Sequence, residues 1–230
     1  MTTVMKDKTG REIDYLRISI TDRCNLSCIY CKGNQISHRN ELSVSDFEKI
    51  TKAFALCGIK KVRLTGGEPL LRSDITELVT RLKNIDGIEK IVLTTNGILL
   101  KKYAYELRNA GVSAINISLD TTDREMYKEL TGCDKLRDVF DGIKEAQRAG
   151  IDSIRINSVL IKGKNDNSAE KLISLAKDND IDVRFIELMP FTSEGQNDDK
   201  IVSGFEILKR FPFLKPIESK NEKSVARYFR

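Results

Sequence analysis

The sequence predicts an α/β protein, a partial barrel of six βα units, and three observations predict it. Short runs rich in Val, Ile, Leu and Thr alternate with longer segments whose apolar residues recur three and four positions apart. The alternation repeats six times without a long insertion. Residues able to do chemistry fall just after the strand-like runs, the end of a βα barrel where loops are free to carry a site.

The strand-like runs are Tyr15–Thr21, Lys61–Thr65, Lys90–Thr95, Ala114–Leu119, Ser153–Leu160 and Asp182–Glu187. Between and after them the helical periodicity covers Ser45–Leu56, Asp74–Lys83, Leu100–Asn109, Arg124–Leu130, Leu136–Ala149 and Ser168–Lys177. Ser43 to Asp46 reads as an N-cap region, and Gly58, Gly111 and Gly150 each follow a helical run, where a left-handed C-cap calls for glycine. Parallel strands joined by right-handed crossovers must cover both sheet faces, which leaves an open doubly wound sheet or a barrel; six uninterrupted units favour the partial barrel. Past Pro190 the rhythm stops. Residues 191–200 read as a polar loop, Ser203–Arg210 as a last helix, and Phe211–Arg230 as a charged tail with a strand-like end. Residues 1–190 are therefore expected to form the barrel and 191–230 a C-terminal extension.

A chain of 230 residues, 40% hydrophobic and 32% charged, can bury one full core. No run approaches the roughly 18 apolar residues needed to cross a bilayer, so the expectation is a cytoplasmic protein without membrane association. The net charge of +5, from 39 basic and 34 acidic residues, is too slight to argue for nucleic acid. A small anionic ligand suits it better: Lys60, Lys61 and Arg63, or Lys162 and Lys164, could serve a phosphate or be solvated surface. The lone His38 reads as a solvated loop residue.

Of five cysteines, three crowd into Cys24-Asn25-Leu26-Ser27-Cys28-Ile29-Tyr30-Cys31, in a loop directly after the first strand. That spacing points to metal binding rather than disulfides. Three is the informative number, because electron-transfer clusters and structural zinc sites usually close with four protein ligands, whereas three thiolates on a cubane leave one iron open to a small molecule. Cys57 and Cys133 read as ordinary buried thiols. Gly66-Gly67-Glu68-Pro69 follows the second strand, Thr95-Asn96-Gly97 the third, and Ser118-Leu119-Asp120 ends the fourth, so all four segments share one face of the barrel.

The cysteine spacing, the aromatic Tyr30 before the last thiol and the glycine turn after the next strand together resemble the radical S-adenosylmethionine (SAM) superfamily. The resemblance implies a TIM-like barrel of the radical SAM type, one [4Fe–4S] cluster on Cys24, Cys28 and Cys31, and SAM bound at the open iron. Its reductive cleavage would yield a 5′-deoxyadenosyl radical. Within the superfamily, residues 16–24, 63–72, Leu93–Gly97, Ile117–Asp120, Lys162-Gly163 ahead of Asn165-Asp166, Arg184–Met189 and Ala226–Arg230 resemble the GTP 3′,8-cyclases of molybdenum cofactor biosynthesis. That likeness implies that Arg17, Arg63, Thr94 and Lys162 approach GTP, while Tyr30, Gly66, Gly67, Glu68, Pro69, Ser118 and Met189 line the SAM site. On the residues alone, Arg17 could instead pair with a barrel carboxylate, and Met189 could be core filler.

The family continues past the Tyr-Phe-Arg segment into a region with three more cysteines and ends in paired glycines; this sequence has neither, and Cys57 and Cys133 cannot assemble a second three-cysteine site. The expectation is therefore a truncated cyclase or a shorter relative. Three functions stay open: GTP cyclisation, radical SAM chemistry on another nucleotide, metabolite or peptide, and a non-catalytic cluster- or zinc-binding remnant. Either enzyme needs a one-electron donor that the sequence leaves unidentified. The assembly state is equally open, a homodimer included.

Overall fold

The computed structural model describes residues 4–31, 41–179, 181–189, 198–218 and 226–230. Six strands pair in chain order: β1 (Tyr15–Ser19), β2 (Lys61–Thr65), β3 (Lys90–Thr95), β4 (Val112–Ser118), β5 (Ser153–Val159) and β6 (Asp182–Ile186). Every pairing is parallel. Right-handed crossovers that always step in the same direction put their helices on one face and leave the other as a lumen. This is the partial barrel the sequence predicts. The helices are α1 (Val44–Leu56), α2 (Ile75–Lys83), α3 (Leu100–Ala110), α4 (Arg124–Thr131), α5 (Leu136–Arg148), α6 (Ala169–Asn179) and α7 (Gly204–Arg210).

The ends of the elements follow from local chemistry. Ser43 and Asp46 form a reciprocal capping box at the start of α1. Gly111, at φ 108°, caps α3 in the left-handed region, so the chain enters β4 at once and that strand starts two residues earlier than its apolar run suggests. In β1 the ladder stops at Ser19 because Thr21 turns its carbonyl to accept Gly67 N–H at 2.7 Å.

Alternation along the strands separates core from lumen. Val62, Leu64, Ile91, Leu93, Ile115, Ile117, Ile154 and Ile156 are buried beneath the helices; each such side chain contributes about 1.5–3 kcal/mol of transfer free energy. The residues between them on the opposite face are largely polar, among them Arg17, Arg63, Asn116, Arg155, Asn157 and Arg184.

Outside the barrel, β7 (Pro216–Ile217) and β8 (Tyr228–Phe229) form a small antiparallel ribbon. Ile161, just past β5, bridges to Ile201 ahead of α7. His38 and residues 191–197 of the expected polar loop lie outside the described residues. Among those described, no helix is long and apolar enough to cross a membrane.

Candidate active site at the carboxyl ends of the strands

The three cysteines leave β1 in a loop bonded to its surroundings at every described turn. Cys31 N–H donates to Cys28 O at 3.0 Å, closing the second half of the motif. Ser27 N–H and Ile29 N–H donate to Thr131 O and Leu130 O, the carbonyls that the end of α4 leaves without helical partners. Ile29 and Tyr30 pack on a small cluster of Leu130, Ile161 and Leu188. The Tyr30 hydroxyl donates to Asp120 Oδ2, and Asp120 Oδ1 accepts Val159 N–H at 2.7 Å. Asn165, 1% exposed, locks this corner by donating to Asp120 O and Val159 O while accepting from Ile161 N–H.

Burial sets the electrostatics. It pushes the Cys28 thiol up to about 12, with Asp120, Cys31 and Cys24 adding repulsion against a thiolate. It also raises the Cys24 thiol, holds the Tyr30 hydroxyl well above its ordinary value, and lifts Asp120 to about 6 against the pull of its two hydrogen bonds. Cationic iron is the compensation such thiols need to ionise. Among the described residues no three His, Cys, Asp or Glu side chains gather tightly enough to hold one metal ion. A cubane asks for something else, one thiolate on each of three irons. A donor set of three thiols from a single loop fits that group.

The Gly-Gly turn packs directly on the cysteine loop. A Cβ on Gly67 would lie 2.1 Å from Arg23 O, and one on Gly66 would lie 2.4 Å from Thr21 O. Glycine is demanded here by the cysteine loop, whose backbone presses against the turn, with Glu68 N–H donating to Arg23 O at 2.6 Å. Glu68 is 1% exposed, and burial raises its carboxyl. Its oxygens accept from Leu70 N–H, Asn96 N–H and the Thr95 hydroxyl at 2.7–3.0 Å, so the side chain joins the turn to the end of β3. Asn96 then reaches Asn25, inside the cysteine motif, at 2.7 Å.

Deeper in the lumen the balance reverses. Arg17 stands beside Arg63 in the β1–β2 register, and Arg63 feels the charges of Arg184, Arg17 and Arg155. Lys61 is lowered by burial first, then by Arg63, Lys90 and Arg155. Tyr15 lies under Lys61 Nζ and Arg63 Cζ, each 5.3 Å from the ring centroid. The described counter-charges are few: Asp182 holds Arg155 at 2.8 Å, and Asp14 acts on Lys61. Arg63 Nε, Asn116 Nδ2 and Asn157 Oδ1 are buried without a hydrogen-bond partner. Polar groups in that condition cost free energy until something binds them.

The sequence matches the Radical SAM superfamily over residues 18–176. It is 43% identical to a GTP 3′,8-cyclase from Peptoclostridium acidaminophilum, across 99% of this chain and 72% of that protein. A GTP 3′,8-cyclase from Alkaliphilus oremlandii is 44% identical, across 98% and 72%. The chain belongs to the radical SAM superfamily, in its GTP 3′,8-cyclase family. The fold agrees. Streptococcus suis SuiB, solved with S-adenosylmethionine, superposes with a TM-score of 0.71 at 26% identity, over 81% of this chain and 43% of that one. Methylornithine synthase shares the fold at a TM-score of 0.69. The protein is thus a radical SAM enzyme, of a family whose cofactors are a [4Fe–4S] cluster and SAM.

The structure brings most of the expected residues to one end of the barrel. Cys24, Cys28, Cys31 and Tyr30 share the loop above it; Gly66, Gly67, Glu68 and Pro69 form the adjoining turn; Thr94 is the penultimate residue of β3 and Ser118 the last of β4; and Met189, half exposed, follows β6. Lys162 follows β5 at the same end, its Nζ held 3.1 Å from Glu206 at the start of α7. Cys57 and Cys133 are partly exposed rather than buried. Sequence reasoning missed Asp120 and Asn165 as anchors, and Arg155, Asn157, Asn116 and Arg184 as lumen residues. Their signal was available in the strands: Arg155 and Asn157 alternate with Ile154 and Ile156, and polar residues with period two in a parallel strand mark a wet inner face.

Proposed function

We propose that this enzyme is a GTP 3′,8-cyclase, binding GTP in the lumen with its triphosphate against Arg17, Arg63, Arg155, Arg184 and Lys61. The supporting observation is the concentration of cations on one face of the sheet, with a buried guanidinium nitrogen of Arg63 left without a partner. Guanidinium forks suit phosphate oxygens, and a polyanion would turn the mutual repulsion of these groups into binding energy. When bound, the cluster and SAM would supply a 5′-deoxyadenosyl radical able to take hydrogen from the ribose 3′ carbon; bonding of that carbon to guanine C8 would leave a base radical that takes up one electron, from the external one-electron donor, and one proton.

The chain's own residues supply placement. Cys24, Cys28 and Cys31 hold the cluster. The backbone of the Tyr30 turn and of Gly66–Pro69, with Ser118 and Met189, faces SAM, and the Thr94 hydroxyl faces the nucleotide beside Asn116, its neighbour in the β3–β4 register. The test is anaerobic reconstitution followed by SAM cleavage with GTP, with ATP and with no nucleotide. Cleavage stimulated by GTP, with deuterium passing from C3′ of labelled GTP into 5′-deoxyadenosine, is expected. Cleavage indifferent to GTP would move the substrate to another small anion while leaving the radical SAM assignment intact.

A further inference from the structure

Arg72 lies just beyond the Gly-Gly turn, its side chain bonds to none of the residues assigned to the cluster, SAM or GTP, and it is nevertheless only 4% exposed. A buried guanidinium is costly unless each donor is used, and here the donors are used on both sides of the cysteine motif. Nε and one terminal nitrogen grip the two oxygens of Asp74, at 2.8 and 2.7 Å, at the start of α2. The other terminal nitrogen donates to Ile20 O at 2.9 Å, where β1 ends, and to Leu42 O at 3.1 Å, ahead of α1. Glu41 approaches the same nitrogen at 3.6 Å and itself accepts from Arg23 Nε at 2.9 Å and from the Thr21 hydroxyl. The Phe47 ring of α1 covers the guanidinium, its centroid 5.4 Å from Cζ.

We propose that Arg72 is the positioning residue of the cysteine loop: it pins Ile20 and Leu42, the points that flank all three thiols, to one planar group before iron arrives. Arg72 N–H also donates to Pro69 O at 3.1 Å, so the pin is rigidly continuous with the Gly66–Pro69 turn that packs on Arg23. Closing a loop at its base removes conformational entropy that cluster binding would otherwise have to offset. Lysine cannot substitute, because one ammonium cannot engage a carboxylate in two places and two carbonyls on the far side.

The experiment compares the wild-type chain with Arg72→Lys, Arg72→Gln and Asp74→Asn. It measures amide hydrogen exchange of residues 20–31 in the iron-free protein, release of iron from the reconstituted protein to a chelator, and urea unfolding of the barrel. About tenfold faster exchange in residues 20–31 and about tenfold faster iron release are expected for both Arg72 variants. Asp74→Asn should give a smaller change of the same kind, and strand amides of β3 and β4 should keep their protection. Unchanged exchange and iron release, or acceleration only in step with β3 and β4, would overturn the proposal. Should Arg72→Gln fail to fold, Asp74→Asn and Glu41→Gln carry the same comparison with the guanidinium in place. The exchange measurement needs neither cluster nor substrate, so its outcome is independent of whether GTP is the substrate.

Discussion

The cysteine corner and the lumen below it are built on opposite principles. Around the cysteines, the buried polar groups that anchor the loop are satisfied, with the Tyr127 hydroxyl an exception: Glu68 accepts three hydrogen bonds, Asn165 makes three, and Arg72 spends its donors on Asp74, Ile20 and Leu42. In the lumen, Arg63 Nε, Asn116 Nδ2 and Asn157 Oδ1 have no partner and five cations face few carboxylates. A satisfied network is rigid at no further cost, which suits a loop that must hold thiols at fixed separations. An unsatisfied, like-charged cavity is strained until an anion enters, which suits substrate discrimination. The scaffold end is nearly complete in itself, whereas the lumen is completed by what it binds.

The largest effect should come from breaking the complete half. In Gly67→Ala the new methyl would sit 2.1 Å from Arg23 O, a backbone atom with no freedom to yield. The turn and the cysteine loop must then separate, and iron after reconstitution should fall from about four per chain to background, as a colorimetric iron assay would show.

Arg63→Met tests the incomplete half, and here the two readouts should move in opposite directions. Losing a charge-assisted contact worth about 1.5–3 kcal/mol should raise KM for GTP by roughly 10- to 150-fold. The ligand-free chain should meanwhile gain on the order of 1 kcal/mol, seen as a melting temperature about 2–4 °C higher, because an unpaired buried donor and its repulsion from Arg17, Arg155 and Arg184 are removed. A lower melting temperature would show that Arg63 is a satisfied structural residue.

Asp120 belongs to the cysteine corner but carries strain of its own. Burial raises its carboxyl to about 6 in the folded chain. Its contribution to stability is therefore full below the unfolded carboxylate range near pH 4 and is lost as pH rises through 6, on the order of 3 kcal/mol in total. Urea midpoints of the iron-free protein should fall more steeply between pH 4.5 and 7 for the wild type than for Asp120→Asn. Parallel curves would place the carboxylate in a more solvated setting.

The smallest effect is expected at Lys162. Its ammonium is half exposed and paired with Glu206, and an exposed pair is worth about 0–1 kcal/mol. Lys162→Gln should change KM for GTP less than about threefold; a tenfold rise in a steady-state assay would return this residue to the substrate.

The sequence by itself determined the βα rhythm, the six strands of the main sheet and the cysteine loop at their carboxyl ends. Those features are encoded locally, in period-two and period-3.6 patterning, in capping residues such as Ser43 and Gly111, and in spacing within one short motif. Only the tertiary structure decided what the polar residues do. It showed Gly67 at a close approach of two backbones, and Lys162 paired with Glu206 of α7. It also made Asp120, Asn165 and Arg72 the anchors of the cysteine corner, and it gathered Arg17, Lys61, Arg63, Arg155 and Arg184 from four strands into one field. Each of these depends on which side chains face each other across strands far apart in the chain. That pairing is set by the register and curl of the sheet, which no local pattern records.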